Sequence, residues 1–417
     1  MDDISQTDDQ EGNISQTDGQ EGSSGEEEEI SSDNVSDEPW AISQFLEDYD
    51  NVPVWDRLKV QHVTSIQWLA DVTGAEVQGL NVGSKTLTFV PKKGPADLAG
   101  RSFDIKAETD AASALLILQA IFPFILFASD GKGEPLSITI HGGTNVQWSL
   151  SYEYFDQVLM PALEARFCIR IDRKLNKRSW NYGKTSPGSI TLTIQPVPKG
   201  EKLHYNPPKR YVYPASYNIK TVQISILAPG YAHEQLQNQL FQNLGELYPD
   251  ADLQVRLVED SGSDQKWNVL LVAESQDGIR WGKDILRGMN KKMRSSDTFV
   301  KQVASSVCRH LHEEILLGGQ VDEHLQDQLV VLQALCDGYS SFPRGEDPVD
   351  AEPEASLSGA VDNLSLSGDR VRKDKTYDPF GHGSMHTQTA RWVASQLLPA
   401  AEFYNKGDFV KGVGFSL

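Results

Sequence analysis

The chain contains few cysteines, and they are far apart. Cys168, Cys308 and Cys336 are the only three among 417 residues, and no two of them have the CxxC spacing of a zinc-ligand pair. A disulfide-stabilised fold and a Cys-rich zinc site are therefore not expected, and a reducing compartment is favoured.

Long apolar runs are also missing. The most apolar stretch, residues 114–128, is interrupted by Gln119 and Pro123, so it predicts a buried helix rather than a membrane span. The acidic N-terminus argues against a secretory signal and against an Arg-rich transit peptide. We therefore expect a cytosolic or nuclear protein with no membrane partner.

Residues 1–38 contain no Lys or Arg. Their fourteen Asp and Glu residues carry a charge of −14, and subtracting it from the net charge of −21 leaves −7 for the rest of the chain. A decapeptide that begins at Ile4 is repeated from Ile14. Such a segment cannot bury enough apolar surface to fold, so it predicts a disordered acidic tail. The tail either contacts a basic partner, or shields a basic groove, or is a solvated segment with no specific role.

Between this tail and a second polar segment, strand patterns and helix patterns alternate. The second segment, residues 342–375, is rich in Pro, Ser, Gly and acidic residues and predicts a disordered insertion. The alternation predicts an α/β (α+β) fold in which helices cover the sheets. The patterns also predict a strand over 168–172 followed by a basic loop, and a helix over 322–340.

One stretch of 19 residues is strongly basic and carries only one acidic residue, Asp172. Trp180 and Tyr182 lie within it. Cations bind phosphates and aromatic rings stack on unpaired bases, so the stretch predicts an RNA-binding strip; a solvated hairpin loop is the alternative. The basic residues are Arg166, Arg170, Arg173, Lys174, Lys177, Arg178 and Lys184.

Two helix starts carry polar groups suited to a nucleotide. His324, Asp327 and Gln328 have the spacing of one helix face and could hold a ribose, a base edge or a metal; an ordinary acidic first turn is the alternative. His386 precedes the last predicted helix, where an imidazole could act as a nucleophile beside a bound phosphate. A structural or merely exposed histidine is the alternative there.

Taken together, the motifs resemble the RNA 3′-terminal phosphate cyclase family. The segment 318–331 is similar to the family's GGxVDEYLQDQLIV, and Met385-His-Thr-Gln-Thr-Ala is similar to its LHTQTA. Gly142-Gly-Thr-Asn, the segments 112–119 and 59–62, and the final Gly412-Val-Gly-Phe match in the same order. The similarity covers about 55–341 and 376–417.

The resemblance implies a large domain of repeated units, each with helices on a four-stranded sheet, and a smaller inserted α/β domain. It assigns 39–198 and 319–417 to the large domain and 199–318 to the insert. It also implies that ATP and a divalent metal, Mg²⁺ or Mn²⁺, are used on RNA that ends in a 3′-phosphate. His386 would be the nucleophile, Gln119, Asp327 and Gln328 would contact the nucleotide, and His324 stands where the family has Tyr. The metal ligands are not identified, and RNA processing in the nucleus (nucleoplasm or nucleolus) or cytoplasm is the implied setting.

Parts of the family pattern are missing. No Glu-Gly-Gly-Gly-Gln-type turn precedes the first matched helix, two phosphate-binding arginines have no counterpart, and Leu150 replaces a Pro beside the nucleotide. A Gly-rich turn has become Lys184-Thr-Ser-Pro-Gly. Three interpretations therefore stay open: an active cyclase, a weak or inactive RNA-binding relative that acts in ribosomal RNA processing, and a chain whose first 50 residues are a mis-assembled start. Retention of His386 favours the first interpretation.

Overall fold

The structure is a computed structural model that describes residues 57–181, 187–208, 218–289, 296–344, 381 and 383–417. The described residues belong to one compact unit that spans Asp56–Leu417. Among the described helices, none is long and apolar enough to cross a membrane. The predicted acidic tail, 1–38, lies outside the described residues.

The first elements form a small layer of one helix and two strands. Helix α1, Val60–Thr73, ends at Gly74, whose φ of 62° is the left-handed conformation that glycine adopts most easily. Strands β1, Glu76–Gln78, and β2, Thr88–Val90, pair antiparallel. Trp68 of α1 is buried in the main hydrophobic core.

The main core is built on a four-stranded sheet with the order β3-β4-β6-β5. Its inward side chains alternate with polar ones, as in β4, where Leu136, Ile138 and Ile140 are fully buried. Helix α2, Ala114–Leu126, is buried among them and is capped by Ser113, whose side chain accepts a hydrogen bond from the Leu116 N–H. The strands are β3, Ser102–Lys106; β4, Leu136–Gly142; β5, Ile171–Lys177; and β6, Gly188–Ile194. The helices are α2, Ala114–Leu126; α3, Tyr152–Tyr154; and α4, Met160–Phe167, with a π-helical turn, Phe155–Leu159, between α3 and α4.

A second hydrophobic cluster lies entirely between Ile219 and Ile315. It packs beneath a four-stranded sheet of order β10-β9-β7-β8. Leu270 and Val272 of the central strand β9 face the other way and join the main core. The elements are β7, Ile219–Ala228; α5, His233–Leu247; β8, Asp252–Asp260; β9, Trp267–Ser275; β10, Arg280–Arg287; and α6, Ser296–Leu316. This separate cluster agrees with an inserted domain over 199–318, but the division of the chain into two domains stays a prediction.

The last elements pair two helices with a three-stranded sheet of order β11-β13-β12. Helices α7 and α8 pack on each other through Val330 and Ala334 of α7 and Ala394 of α8. The bounds are α7, Glu323–Leu335; β11, Asp337–Ser341; α8, Met385–Leu397; β12, Glu402–Tyr404; and β13, Phe409–Val413.

The α+β class predicted from the sequence is confirmed, and three local predictions are wrong. The helix predicted over 322–340 ends at Leu335, and β11 follows it. The strand predicted to end at Asp172 continues to Lys177, so no basic loop begins there. The insertion predicted over 342–375 begins too early, because Phe342 is buried and Arg344 forms an ion pair with Glu314. Residues 345–375 lie outside the described residues.

Candidate active site

The start of α7 is fixed by a buried carboxylate. Asp322 is the N-cap residue, and its Oδ1 accepts hydrogen bonds from the backbone N–H groups of His324, at 3.1 Å, and Leu325, at 3.0 Å. Its Oδ2 accepts one at 2.8 Å from the Gly282 N–H, on β10. The Tyr154 hydroxyl donates a further hydrogen bond to Asp322. This end of the helix is therefore held by groups from three parts of the chain.

His386 lies on the helix that packs against α7. In a helix, residues four apart share a face, so His386 lies on the same side of α8 as Ala390 and Ala394, which pack toward α7. The same spacing rule puts Asp327 on the side of α7 that carries Val330 and Ala334. The packed faces therefore bring His386 and Asp327 to the same end of the helix pair.

A glycine lets the start of α8 approach α7 closely. Gly383 has a φ of +112°, and a Cβ there would lie 2.5 Å from Oε1 of Gln326. Ser384 then caps α8, because its hydroxyl accepts a hydrogen bond from the Thr387 N–H at 3.2 Å. His386 follows in the first turn, with an exposed side chain. A solvent-accessible imidazole therefore lies in the first turn of a capped helix that approaches α7 closely.

The electrostatics of Asp327 link it to both histidines. Burial raises the pKa of Asp327, whereas a hydrogen bond from the Gln328 amide and the charges of His386 and His324 act in the opposite direction. The amide-to-carboxylate distance is 3.1 Å. His324, Asp327, Gln328 and His386 thus form one polar group at the ends of two helices.

Three further residues of this group were not predicted from the sequence. Lys283 of β10 places its Nζ 3.4 Å from Nε2 of His324 and 3.5 Å from Oε2 of Glu323. Although burial acts in the opposite direction, Lys283 lowers the pKa of Glu323. Burial together with Asp322 raises the pKa of Tyr154 well above its ordinary value. The sequence contained no signal for Lys283, because the strand that carries it was not predicted.

Gln119 lies apart from these residues in the hydrogen-bond pattern. It is exposed on α2, a helix that packs against α7. Within the described part of the chain, no hydrogen bond joins its side chain to His324, Asp327, Gln328 or His386. Its predicted contact with a nucleotide stays a prediction.

Comparison with known proteins identifies the family. Residues 57–402 match the family model of the RNA 3′-terminal phosphate cyclases. The chain belongs to this family. It is 24% identical over 295 residues to an RNA 3′-terminal phosphate cyclase of Drosophila melanogaster, which covers 69% of this chain and 74% of that protein. The identity to the cyclase of Methanosarcina mazei is 29% over 297 residues, 68% of this chain and 77% of that protein. The identity to the cyclase of Pyrobaculum aerophilum is 27% over 290 residues, which cover 70% of this chain and 76% of that protein.

In this cyclase-family chain, two of the predicted RNA-binding residues already have carboxylate partners. Arg173 bonds Asp156 through Nε at 2.7 Å and donates to its backbone oxygen at 2.8 Å. Arg178 has a side chain only 10% exposed and lies 2.7 Å from both Glu153 and Glu259. These two arginines stabilise the fold, a role that the sequence did not predict.

The remaining members of the basic stretch are placed differently. Arg170, Lys174 and Lys177 are exposed, and Arg166 is half-buried near the end of α4. Lys184 lies outside the described residues. RNA binding at this stretch can therefore be tested on its exposed residues, Arg170, Lys174 and Lys177.

The Gly142-Gly-Thr-Asn motif belongs to the same buried network. The Asn145 amide donates to Glu153 at 2.8 Å and to Asn268, on β9, at 3.2 Å. Its Oδ1 accepts from Arg178 at 2.9 Å. The motif therefore ties the main sheet to the sheet of the 219–315 cluster.

Proposed function

We propose that this protein is an ATP-dependent RNA 3′-terminal phosphate cyclase that converts an RNA 3′-phosphate to a 2′,3′-cyclic phosphate through a His386–AMP intermediate. The observation that carries the proposal is the exposed His386 at the start of α8, whose charge acts on the half-buried Asp327 of α7. The family match supports the reaction class, because the matched relatives carry the name of this activity.

The proposed reaction has three steps. A lone pair of the His386 imidazole attacks the α-phosphorus of ATP, and the bond to the bridging oxygen breaks as pyrophosphate leaves. An oxygen of the RNA 3′-phosphate then attacks the same phosphorus and releases His386. Finally, the neighbouring 2′-hydroxyl attacks the activated 3′-phosphorus and loses its proton to solvent, AMP leaves, and the cyclic phosphate remains.

The residues around His386 include polar groups that suit the sugar and base of a nucleotide. Asp327 and Gln328 offer a carboxylate and an amide on one helix turn, groups that suit ribose hydroxyls or a base edge. The divalent metal implied by the resemblance stays an expectation. Among the described residues, no three His, Cys, Asp or Glu side chains group as metal ligands.

The second candidate is a weak or inactive relative that binds RNA in ribosomal RNA processing. It is favoured by the departures from the family pattern, above all the replaced Gly-rich turn at Lys184-Thr-Ser-Pro-Gly. Losing one oriented phosphate donor can cost roughly 2.7–4 kcal/mol of barrier, so several losses could nearly abolish the reaction. For either candidate we propose a nuclear location, in nucleoplasm or nucleolus, with the cytoplasm as a further location. Imaging of the tagged full-length chain tests the location.

Labelling with α-³²P-ATP and a divalent metal tests the two candidates. For an active enzyme we expect an acid-labile AMP adduct, as for a phosphoramidate, that is lost in His386→Ala. His204→Ala removes another exposed histidine and is the matched control, so it should keep the label. Equal labelling of the His386→Ala protein would exclude His386 as the nucleophile. RNA binding by a wild-type protein that takes no label would support the second candidate.

A further inference from the structure

Trp148 presents its ring almost wholly to solvent. Its relative exposure is 91%, the largest among the exposed large apolar residues that the structure describes. Its φ is +62°, in the left-handed region that a bulky side chain rarely adopts. An indole this exposed adds little to the hydrophobic core, so core packing does not explain why the loop adopts this conformation. Backbone strain of this kind is found mainly at functional sites.

The loop that carries this residue, the Trp148 loop (residues 143–151), is held on both sides of the ring. Before it, the Asn145 N–H donates to the Ser179 carbonyl at 2.9 Å. After it, the Ser149 hydroxyl lies 2.6 Å from the hydroxyl of Ser113, the N-cap residue of α2. Hydrogen bonds to two other parts of the chain therefore fix the backbone on either side of the exposed ring.

The Trp148 loop starts at the end of the sheet where the basic strand β5 ends. Gly142 is the last residue of β4, and Lys177 is the last residue of β5. A Cβ on Gly188, in the strand between them, would lie 2.7 Å from the Gly142 carbonyl oxygen and 2.9 Å from that of Lys177. The exposed Lys177 is therefore at the end of the sheet from which the loop leaves, and a lysine there can bind a phosphate.

Trp148 also offers the open aromatic ring that the basic stretch itself lacks at Trp180. The basic pattern predicted Trp180 as a stacking ring, but this residue is only 5% exposed. Asn145 forms a parallel bridge with Trp180, so the Trp148 loop runs beside the basic stretch. Trp148 follows three residues later and has its ring in solvent.

The same loop leads to the candidate active site. Helix α3 follows it, and the Tyr154 hydroxyl of α3 donates to Asp322 at the start of α7. From Trp148 the chain passes through the rest of the loop and then one helical turn to Tyr154, so the two Cα atoms are at most about 15 Å apart. A few nucleotides of single-stranded RNA can span this distance.

We propose that Trp148 is a stacking platform for a base near the 3′ end of the RNA substrate, with Lys177 on the phosphate backbone beside it. The inference rests on the proposed function, because it takes RNA as the substrate. Every base has a π-face, so stacking on this ring binds the strand without reading its sequence. A strand that runs along the surface suits a ring this exposed, whereas a small nucleotide is usually enclosed in a pocket.

RNA binding to the full-length protein without ATP, measured by fluorescence anisotropy, tests this. The probe is a single-stranded oligonucleotide with a 3′-phosphate. Trp148→Asn removes the ring and keeps the loop, because asparagine tolerates a left-handed φ better than most residues. We expect it to weaken binding roughly tenfold, and Trp148→Tyr to retain most of the affinity. The control, Tyr231→Asn, removes another exposed aromatic ring and should leave Kd unchanged.

A set of oligonucleotides with one abasic site each, moved stepwise from the 3′ end, locates the stacked base. At one position the abasic site should weaken binding to the wild type as much as Trp148→Asn does, and should weaken binding to that variant no further. The salt slope should be the same for the variant and the wild type, because no phosphate contact is lost. Melting temperatures check folding, and Trp148→Gly, which adopts this φ without strain, replaces Trp148→Asn if the latter unfolds.

Three outcomes decide between the inference and its alternatives. If the variant without the ring binds the intact strand like the wild type, the inference is overturned and a partner protein is left as the occupant of this surface. Abasic sites that weaken both proteins equally at every position would also overturn it. RNA binding that depends on Trp148 in a protein that takes no AMP label would remove the proposed catalytic function and leave the inference standing.

Discussion

At the scale of single residues, the partly buried carboxylate of Asp327 lowers the stability of the folded state at neutral pH. Burial raises its pKa in the folded protein above the ordinary 3.8. At neutral pH the unfolded chain has this group fully ionised, so folding must partly desolvate a charge. A raised folded pKa means that the folded state binds the proton more tightly, and stability is lost as pH rises through that pKa.

Asp327→Asn should therefore stabilise the fold at pH 7 while weakening nucleotide binding. The gain in free energy of unfolding should shrink as pH falls and vanish below the ordinary carboxyl pKa of 3.8, where both states are protonated. Urea unfolding of both proteins across a pH series measures it. A variant that is less stable than the wild type at pH 7 would show that the Asp327 carboxylate stabilises the fold and would contradict the prediction.

At the scale of elements, the approach of α8 to α7 depends on one glycine. Gly383→Ala puts a Cβ 2.5 Å from Gln326 and forces a left-handed φ of +112° on alanine. We expect a loss of roughly 1–3 kcal/mol in stability and a reduced rate of AMP labelling, because His386 moves away from Asp327.

For a control glycine, Gly245, we expect substitution by alanine to raise the stability instead of lowering it. Gly245 lies inside α5, and a Cβ there would meet nothing within 4 Å. Gly245→Ala should therefore stabilise the protein by about 1 kcal/mol and leave labelling unchanged. Thermal unfolding and labelling rates of the two variants give the comparison. Unchanged labelling in a folded Gly383→Ala protein would show that the start of α8 does not need this close approach.

Local patterns predicted a buried helix well and failed where tertiary contacts decide. The apolar stretch 114–128, which predicted this helix, forms α2, and α2 ends at Leu126. Strand β10 was missed because Arg280-Trp-Gly-Lys-Asp shows no alternation and contains a glycine needed for close packing. After α7 the chain enters β11, which contains Gly338 with a φ of +76° and pairs with β13 some 70 residues later.

In the candidate site, too, local sequence patterns predicted some features and tertiary contacts determine the others. The spacing of His324, Asp327 and Gln328 predicts a shared face on one helix, and His386 was predicted at a helix start. The two helix starts meet because small residues such as Ala390 and Ala394 allow the helices to pack closely. No local sequence pattern predicts which residues they pack against. Lys283 lies 41 residues before His324 and reaches it only through the docking of β10.

At the scale of the whole molecule, two arginines of the basic stretch are engaged in ion pairs within the fold. Arg178 joins the main sheet to the 219–315 cluster through Glu153, which is 2% exposed, and Glu259. Removing one member of a buried ion pair leaves the other uncompensated, so Arg178→Ala should cost roughly 3–5 kcal/mol of stability. In a variant that replaces every basic residue of the stretch, an effect on RNA binding would therefore be confounded with a loss of stability.

A cleaner test replaces only Lys174 and Lys177, which are exposed on the edge strand β5. If the strip binds RNA, the double Ala variant should keep its melting temperature and bind more weakly. The slope of log K against log salt should flatten by about 0.7 for each phosphate of a single strand that the variant no longer neutralises. Fluorescence anisotropy with a 3′-phosphorylated oligonucleotide across a salt series measures this.

The control replaces Lys220 and Lys301, two exposed lysines on the elements that carry the 219–315 cluster, and should leave the slope unchanged. Equal slopes for wild type and the Lys174/Lys177 variant would mean that β5 is only a solvated edge and that RNA, if bound, contacts another surface.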